Sequence, residues 1–465
     1  MNWELFGITV YVLVMLVMGY YVSKKIKNDD DYFLAGRSLG PFLATFSIFA
    51  TWFGAESCIG TAGAVYRDGI GSIHADPLGY ALCIILMGLF FSKILWKKKI
   101  TTIPDLFRER FSPNTEKMAA IIIIPSSIIW AGAQVRAFGQ IIHSTTDFSV
   151  TFAVTIAALV VIAYTVFGGL LADAYTDLIQ GFALIAGLII LAVVVVMDMG
   201  GIGAALRTIP LEKLSLGSAG AGLSALGKLE LWMVPILGSI MSQELVSRVV
   251  ASKSDSVAYR SCLRAGGMYL LIGFIPVMIG LLGVRYLPNL SEAETILPVL
   301  AKNHLSPFLY IIFIGALVSA ILSTVDSTLL SASALLSHNL IYPSVKNLTD
   351  KKKVLIARTG VLVSGVVAYA IAFSSDSITG LVEMASSLGG PSIFIITLVA
   401  LYVKSGNHLN AIFAMSMSLL TWVAAHFLWE IEFPIILTVV MCALSYFVSL
   451  PFTRKEVLAG PTVEF

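Results

Sequence analysis

Runs of about twenty apolar residues follow one another along almost the whole chain, separated by short segments that hold most of the charge. A helix needs a run of that length to cross a bilayer core about 30 Å thick. Backbone N–H and C=O groups find no water there, so each run must satisfy its own hydrogen bonds as a helix. Thirteen runs can be counted, at roughly 4–23, 41–66, 77–95, 117–142, 147–168, 174–198, 229–251, 261–286, 305–336, 353–374, 378–403, 408–428 and 433–452. Only 12% of the 465 residues are charged and 57% are hydrophobic, whereas soluble domains are about 25% charged. Little chain remains for a soluble domain. The expected fold class is an all-α polytopic membrane protein with 13 transmembrane helices.

The basic residues test that count independently. With thirteen spans, Lys24, Lys25, Lys27, Arg37, Lys93, Lys97, Lys98, Lys99, Arg108, Arg110, Lys117, Arg248, Lys253, Arg260, Arg264, Lys346, Lys351, Lys352, Lys353, Arg358, Lys404, Arg454 and Lys455 fall on one side. Arg67, Arg207, Lys213, Lys228, Arg285 and Lys302 fall on the other, and Arg136 lies inside a span. Lys and Arg gather in cytoplasmic loops. The expected placement is therefore a multi-pass protein of the cell (plasma) membrane, N-terminus outside and C-terminus cytoplasmic. The first run lacks a basic leader and a small-residue cleavage site and reads as a retained span. Thr101–Phe111 reads as a short interfacial helix, Gly200–Lys228 as the longest extracellular loop, and Ser291–Lys302 as a helical outer cap. The tail after Pro451 is too short for a regulatory domain.

Several function classes drop out. A net charge of +2, with no basic run interleaved with aromatics, gives nucleic acid nothing to bind. Cys58, Cys83, Cys262 and Cys442 lie far apart without CxxC spacing and read as small core residues. The 6 histidines form no HExxH pair, and no Ser-His-Asp or P-loop pattern appears. An enzyme is not expected, nor a cofactor, nor an obligatory protein partner.

Two spans are interrupted. The first reads Ala50-Thr51-Trp52-Phe53-Gly54-Ala55-Glu56-Ser57-Cys58-Ile59-Gly60-Thr61-Ala62-Gly63. Each glycine is about 1 kcal/mol worse than alanine in a helix interior, and a carboxylate at mid-membrane costs roughly 2.5 kcal/mol or more. The second reads Val234-Pro235-Ile236-Leu237-Gly238-Ser239-Ile240-Met241-Ser242-Gln243-Glu244. Paired interruptions at corresponding places of two halves point to an inverted-repeat transporter whose unwound carbonyls line a site. The implied organisation is one membrane transporter domain over 1–465. It divides into an extra N-terminal helix and cytoplasmic loop (1–40), a first repeat (41–198), a second repeat (229–403), and two C-terminal helices with a short tail (404–465).

Polar groups inside the spans name the cargo. Span nine carries Ser323-Thr324-Val325-Asp326-Ser327-Thr328, with Ser323, Asp326 and Ser327 on one helical face. Packing through hydroxyls that bond back to carbonyls explains Ser and Thr. It does not explain Asp326, which needs a cation, a proton or a donor. Hydroxyls of span nine and carbonyls freed by the first interruption suit a hard cation such as Na+. Asp177 is either a carboxylate on a helix dipole or a cytoplasmic way-station for the cation. Glu56, Asp76, Glu244 and Glu383 favour a cationic solute, unless Glu56 or Glu244 pairs with Arg136. Trp52, Tyr80 and Trp130 form an aromatic wall for an ammonium or pack as ordinary core.

With those residues in view, the chain resembles the sodium:solute symporter family over nearly its whole length. The resemblance is carried by Asp31-Tyr32-Phe33-Leu34-Ala35-Gly36-Arg37, by Tyr164–Gln180 and by Ser319–Ser333. Ala50-Thr51-Trp52, Gly60-Thr61-Ala62, Ala64-Val65-Tyr66, Pro77 with Gly79-Tyr80, and Ala174-Tyr175-Thr176-Asp177 are similar to the high-affinity choline transporters within it. The resemblance implies a LeuT-type five-plus-five inverted repeat, with one extra N-terminal and two extra C-terminal helices. It implies a main sodium site from carbonyls of Ala50, Phe53 and Ala320 and hydroxyls of Ser323 and Thr324. It implies a second site at Asp177, Asp326 and Ser327. Positions used by sugar-transporting members match Ser57, Asp76, Gly79 and Ser242, and Gly79 and Ser242 lack the sugar-binding side chains. The choline-type cage matches Trp52, Tyr80 and Trp130, with other aromatic positions replaced at Ser242 and around Val382-Glu383. Glu56, Gln243 and Glu383 complete the candidate substrate residues. The expected function is a Na+-coupled secondary-active symporter that imports a small organic solute by alternating access. A cationic or zwitterionic, choline-like amine is favoured. The alternatives are a symporter of another solute (amino acid, carboxylate or sugar) and a solute-binding membrane sensor. Expected partners are the solute, Na+ and the lipid bilayer.

Overall fold

The computed structural model describes residues 3–217, 220, 222–375 and 377–453, and among them the secondary structure is helical throughout. Sixteen of the helices carry the description. The N-terminal half holds α1 (Trp3–Ser23), α2 (Pro41–Trp52), α3 (Thr61–Asp68), α4 (Tyr80–Leu86), α5 (Ile103–Arg110), α6 (Pro113–Thr145) and α7 (Val150–Asp198). The rest holds α8 (Ala225–Leu237), α9 (Gln243–Ala251), α10 (Asp255–Tyr286), α11 (Pro307–Ala334), α12 (Asp350–Ile371), α13 (Ile378–Leu388), α14 (Gly390–Tyr402), α15 (His408–Val423) and α16 (Pro434–Ser449). Arg454 and Lys455, assigned above to the cytoplasmic tail, lie outside the described residues.

Ten helices among the described residues are long and apolar enough to cross a membrane, where the sequence suggests thirteen spans. The difference has local causes. The run at 41–66 is cut after Trp52, and its second part continues into the next run as Glu56–Lys98. The run at 229–251 is cut between α8 and α9, leaving 13 and 9 residues. The runs at 147–168 and 174–198 join into the 49-residue α7, which kinks at Gly169 with φ 62° and ψ 171°. A Cβ there would stand 3.0 Å from Ile26 Cδ1 and Tyr32 Cδ2, so glycine supplies both the conformation and the clearance.

α11 is the axis of the bundle. Every residue from 316 to 335 is buried, and the helix packs against α1, α2, α6, α7 and α12. A helix apolar all round belongs in such a place, and its hydroxyls and Asp326 go in with it. The periphery is the reverse. α1, α15 and α16 turn Leu13, Val14, Val17, Leu420 and Val448 outward, as a lipid-facing surface requires. On the side expected to be cytoplasmic, the loops are not free. Leu39 N–H donates to the Ala251 carbonyl at 3.1 Å and Lys253 N–H to the Leu39 carbonyl at 2.8 Å. Arg37 reaches the carbonyls of Lys99 and Ile100.

Two breaks meet back to back. α13 and α14 are separated at Gly389, and a Cβ on Gly390 would fall 1.8 Å from the Gly238 carbonyl oxygen. Neither backbone has room to give. Gly390→Ala is expected to lower the thermal midpoint of the detergent-solubilised protein by the equivalent of about 3 kcal/mol, the upper range for overpacking. Gly267→Ala in α10, where an added Cβ meets nothing within 4 Å, is expected to leave it unchanged or slightly raised.

Candidate functional site

α2 stops because its last turn cannot be continued. Phe53 takes φ −88° and ψ 66°, outside the helical region. At Gly54 a Cβ would stand 2.7 Å from both Thr324 Oγ1 and Glu56 Oε2, and 3.1 Å from Gln134 Oε1. The bare glycine lets side chains of α11 and α6 close on the break. There the Ser323 hydroxyl donates to the carbonyls of Ala50 and Ala320, each at 2.9 Å. Thr324 Oγ1 lies 3.1 Å from the Ala320 carbonyl and 3.4 Å from that of Ala50. Back-bonding along α11 accounts for the Ala320 contacts but not for those that cross to Ala50. Four of the five candidate sodium ligands are thus gathered, and Phe53 stands at the same break. Uncharged oxygens of this kind, from two elements, suit a hard monovalent cation.

One turn further along α11, Ser327 is already engaged. Arg248 donates to the Ser327 hydroxyl and forms a short ion pair with Asp173. Ser327 also lies 3.1 Å from Thr51 Oγ1. The other two candidate second-site residues have separate partners. Asp177 Oδ2 accepts from Ser47 at 2.6 Å, and Asp326 Oδ1 accepts from Thr165 at 2.5 Å. Asp173, Asp177 and Asp326 each keep one buried carboxylate oxygen without a hydrogen bond among the described residues.

Asp173 and Arg248 were missed by the sequence reading. It placed Arg248 among the cytoplasmic loop residues, but the side chain is fully buried within α9. Two signals were present. Asp173 precedes Asp177 by one helical turn, and Arg248 sits in the run Leu245–Ala251, which is apolar apart from Ser247 and Arg248 itself.

On the far side of the break lies a cavity of about 190 Å³, whose wall includes Glu56, Asp76, Tyr80, Thr379 and Glu383. Arg67 is shared with a wider outer chamber of about 400 Å³ that also holds Arg136, Glu292 and Glu294. Glu56 is fixed from behind. Trp130 Nε1 donates to Oε1 at 3.0 Å and Gln134 Nε2 to Oε2 at 2.7 Å. Gln134 Oε1 in turn accepts the Ala55 amide at 3.0 Å. Asp76 Oδ2 accepts from Tyr269 at 2.7 Å, and the Tyr269 hydroxyl lies 2.6 Å from Ser57 Oγ.

The remaining candidates separate by position. Trp52 and Trp130 sit behind the wall, edge to face at 5.4 Å and 81°. Ser57 belongs to the Tyr269 network rather than to the wall. Ser242 begins α9 as its N-cap. Gln243 is not among the cavity-wall residues and braces α5, accepting the Ile103 amide at 3.0 Å and donating to the Thr101 carbonyl at 3.2 Å. Glu244 accepts from Ser127 at 2.6 Å, and Arg136 donates to the Ala372 carbonyl at 3.1 Å. α5 is held on its other side by Asp105, which accepts from Thr101, Thr102, His338 and Asn339.

Comparison with known proteins gives concordant results. Residues 32–418 match the family model described as Sodium:solute symporter family. The chain is 31% identical over 436 residues to the human high affinity choline transporter 1, covering 88% of this chain and 74% of that one. It is 27% identical over 451 residues to a Staphylococcus aureus sodium/proline symporter, covering 91% and 86%. Among solved structures, a Na+-coupled sialic acid symporter in a substrate-bound outward-open state superposes with a TM-score of 0.84 at 18% identity, over 98% of this chain and 99% of that one. Mhp1, a nucleobase-cation-symport-1 family transporter in a closed conformation, superposes with a TM-score of 0.61 at 16% identity, over 91% and 96%.

Asp173→Asn leaves the Arg248 guanidinium buried without its counter-charge. It is expected to destabilise the protein by about 3–5 kcal/mol, read as a fall in thermal midpoint, with Asp173→Asn/Arg248→Gln recovering most of the loss. For Asp105, burial pushes the carboxyl up, but the His338 hydrogen bond and charge and the amides of Thr102 and Thr101 outweigh it, so it titrates below its ordinary range. A depressed carboxylate adds stability above its unfolded value and loses it as pH falls through the folded one. Stability is therefore expected to fall on acidification below about pH 4, and less steeply in Asp105→Asn.

Proposed function

Because the chain belongs to the sodium:solute symporter family, we propose that it is a Na+-coupled secondary-active symporter importing a small organic solute by alternating access. The observation that carries this reading is the meeting of Ser323 and Thr324 hydroxyls with the Ala50 and Ala320 carbonyls, at 2.9–3.4 Å, on the break in α2. Na+ bound to those four oxygens and the Phe53 carbonyl ties α2 to α11. The same break carries Glu56 into the wall of the solute cavity. Ordering it for one ligand orders it for the other, and such coupling is reciprocal.

The remaining architecture fits that role. Counting α2–α3 and α8–α9 as interrupted single spans, and α7 as two spans divided at Gly169, gives thirteen spans, the number that a LeuT-type five-plus-five inverted repeat with three extra helices requires. The N-terminus is then outside and the C-terminus cytoplasmic in the plasma membrane. On that orientation the solute cavity adjoins Arg67, Asp68 and His74 toward the outside and the buried Arg248–Asp173 pair lies toward the cytoplasm, which supports an outward-facing state. A second cation at Asp177, Asp326 and Ser327 has first to displace the Arg248 guanidinium from Ser327. The acidic wall favours a cationic or zwitterionic amine, comparable in size and charge with choline or proline, the solutes named for two relatives.

The purified protein in proteoliposomes is expected to accumulate its solute under an inward Na+ gradient and not under an equal K+ gradient. Ser323→Ala and Thr324→Ala are each expected to raise the half-saturating Na+ concentration about tenfold, or 1.4 kcal/mol. Accumulation that ignores the replacement of Na+ by K+ overturns the reading.

A further inference from the structure

A quaternary ammonium has no N–H and is held by aromatic faces turned toward one point. In this cavity that device is missing among the described residues. Tyr80 is the one Phe, Tyr or Trp ring on the wall. Trp52 and Trp130, the other rings that could have joined it, pack edge to face on each other at 81° and are not on the wall. The Trp130 indole N–H is committed to Glu56.

What the wall offers instead is carboxylates. Glu56, Asp68, Asp76 and Glu383 face one guanidinium, Arg67, and Arg67 lies 3.0 Å from Asp68 as a surface ion pair. The Arg67 charge also acts on Glu383, which leaves Glu56 and Asp76 over. Asp76 is 8% exposed, and its Oδ1 has no donor at hydrogen-bond distance among the described residues, although Oδ2 is held by Tyr269. A buried acceptor left open lacks roughly 1–3 kcal/mol that a donor would restore. A charged N–H donor restores more than a neutral one. The volume of about 190 Å³ lies under the roughly 300 Å³ at which drug-sized pockets begin, which keeps the solute small.

We propose that the solute is a small primary or secondary ammonium, recognised through its N–H groups by the Asp76 and Glu56 carboxylates, and that quaternary ammonium compounds are discriminated against. This rests on the reading of the cavity as the solute site. The hydroxyls of Thr61 and Thr379 on the same wall accept further N–H bonds or meet a polar group on the solute.

The test is a binding series by calorimetry on the full-length protein in saturating Na+. Ethanolamine, N-methylethanolamine, N,N-dimethylethanolamine and choline share one skeleton and lose one N–H at each step. Affinity is expected to fall along the series, by about tenfold or more from ethanolamine to choline. 2-Amino-2-methyl-1-propanol adds its methyls on carbon and keeps every N–H, so it is expected to stay within about threefold of ethanolamine. Asp76→Asn is expected to shrink the ethanolamine-to-choline ratio to about twofold. Choline binding as well as ethanolamine overturns the proposal, as does a carbon-methylated amine that weakens in step with choline, or no binding anywhere in the series. Repeating the series in K+ separates the two readings. The same order of affinities without Na+ dependence removes sodium coupling and leaves the recognition of N–H groups standing.

Discussion

Everything at the centre of this molecule depends on a helix that stops in the middle of a membrane. The carbonyl of Ala50 is available to α11 because α2 does not continue past Trp52, and α11 reaches it because Gly54 has no side chain. In water a broken helix end is solvated at little cost. In the bilayer interior each unmet carbonyl costs several kcal/mol, so the break survives only where something polar meets it. Here the Ser323 and Thr324 hydroxyls do so. A hydroxyl gives up its hydrogen bond easily and still has lone pairs to offer. It therefore suits a break proposed to take up and release a cation.

The same scarcity of water explains the group one turn away. Arg248 is fully buried, and its desolvation is offset by an ion pair with Asp173 and a hydrogen bond to Ser327. Those contacts join α7, α9 and α11, and Thr51 brings in α2. A buried pair of this kind adds little net stability against an apolar substitute, yet breaking it is severe. Its value lies in specifying how four helices sit together, directly beneath the break.

The long apolar runs made the helical membrane architecture legible, and Gly54, Glu56, Gly238 and Asp326 marked the irregular places because such residues are expensive in lipid. Ser323 and Thr324 stood out only through the family resemblance, since hydroxyls inside a span are otherwise explained by packing. Arg248 was not legible, because charge near the end of a run is ordinarily a loop residue, and only the three-dimensional approach of Asp173 makes its burial tolerable. Gln243 misled in the opposite way. Its position beside a break suggested solute contact, but its amide was matched to the backbone of α5, a helix distant in sequence. The partition of Trp52 and Trp130 behind the cavity wall was equally hidden, since ring faces and ring edges have the same letter in a sequence. The number of separate helices also differs, because Gly169 bends α7 without ending it, the second half of one broken run continues into the next as Glu56–Lys98, and the other broken run leaves two short pieces.

The contact of Gly238 with Gly390 has a mechanical meaning. Where two elements touch through side chains, rotamers take up small displacements and each element retains some play. Here two interrupted helices touch through bare backbone, and interlocked backbones transmit displacement instead of absorbing it. The breaks between α8 and α9 and between α13 and α14 are thereby geared to each other. No side chain stands between them to absorb a displacement of either break.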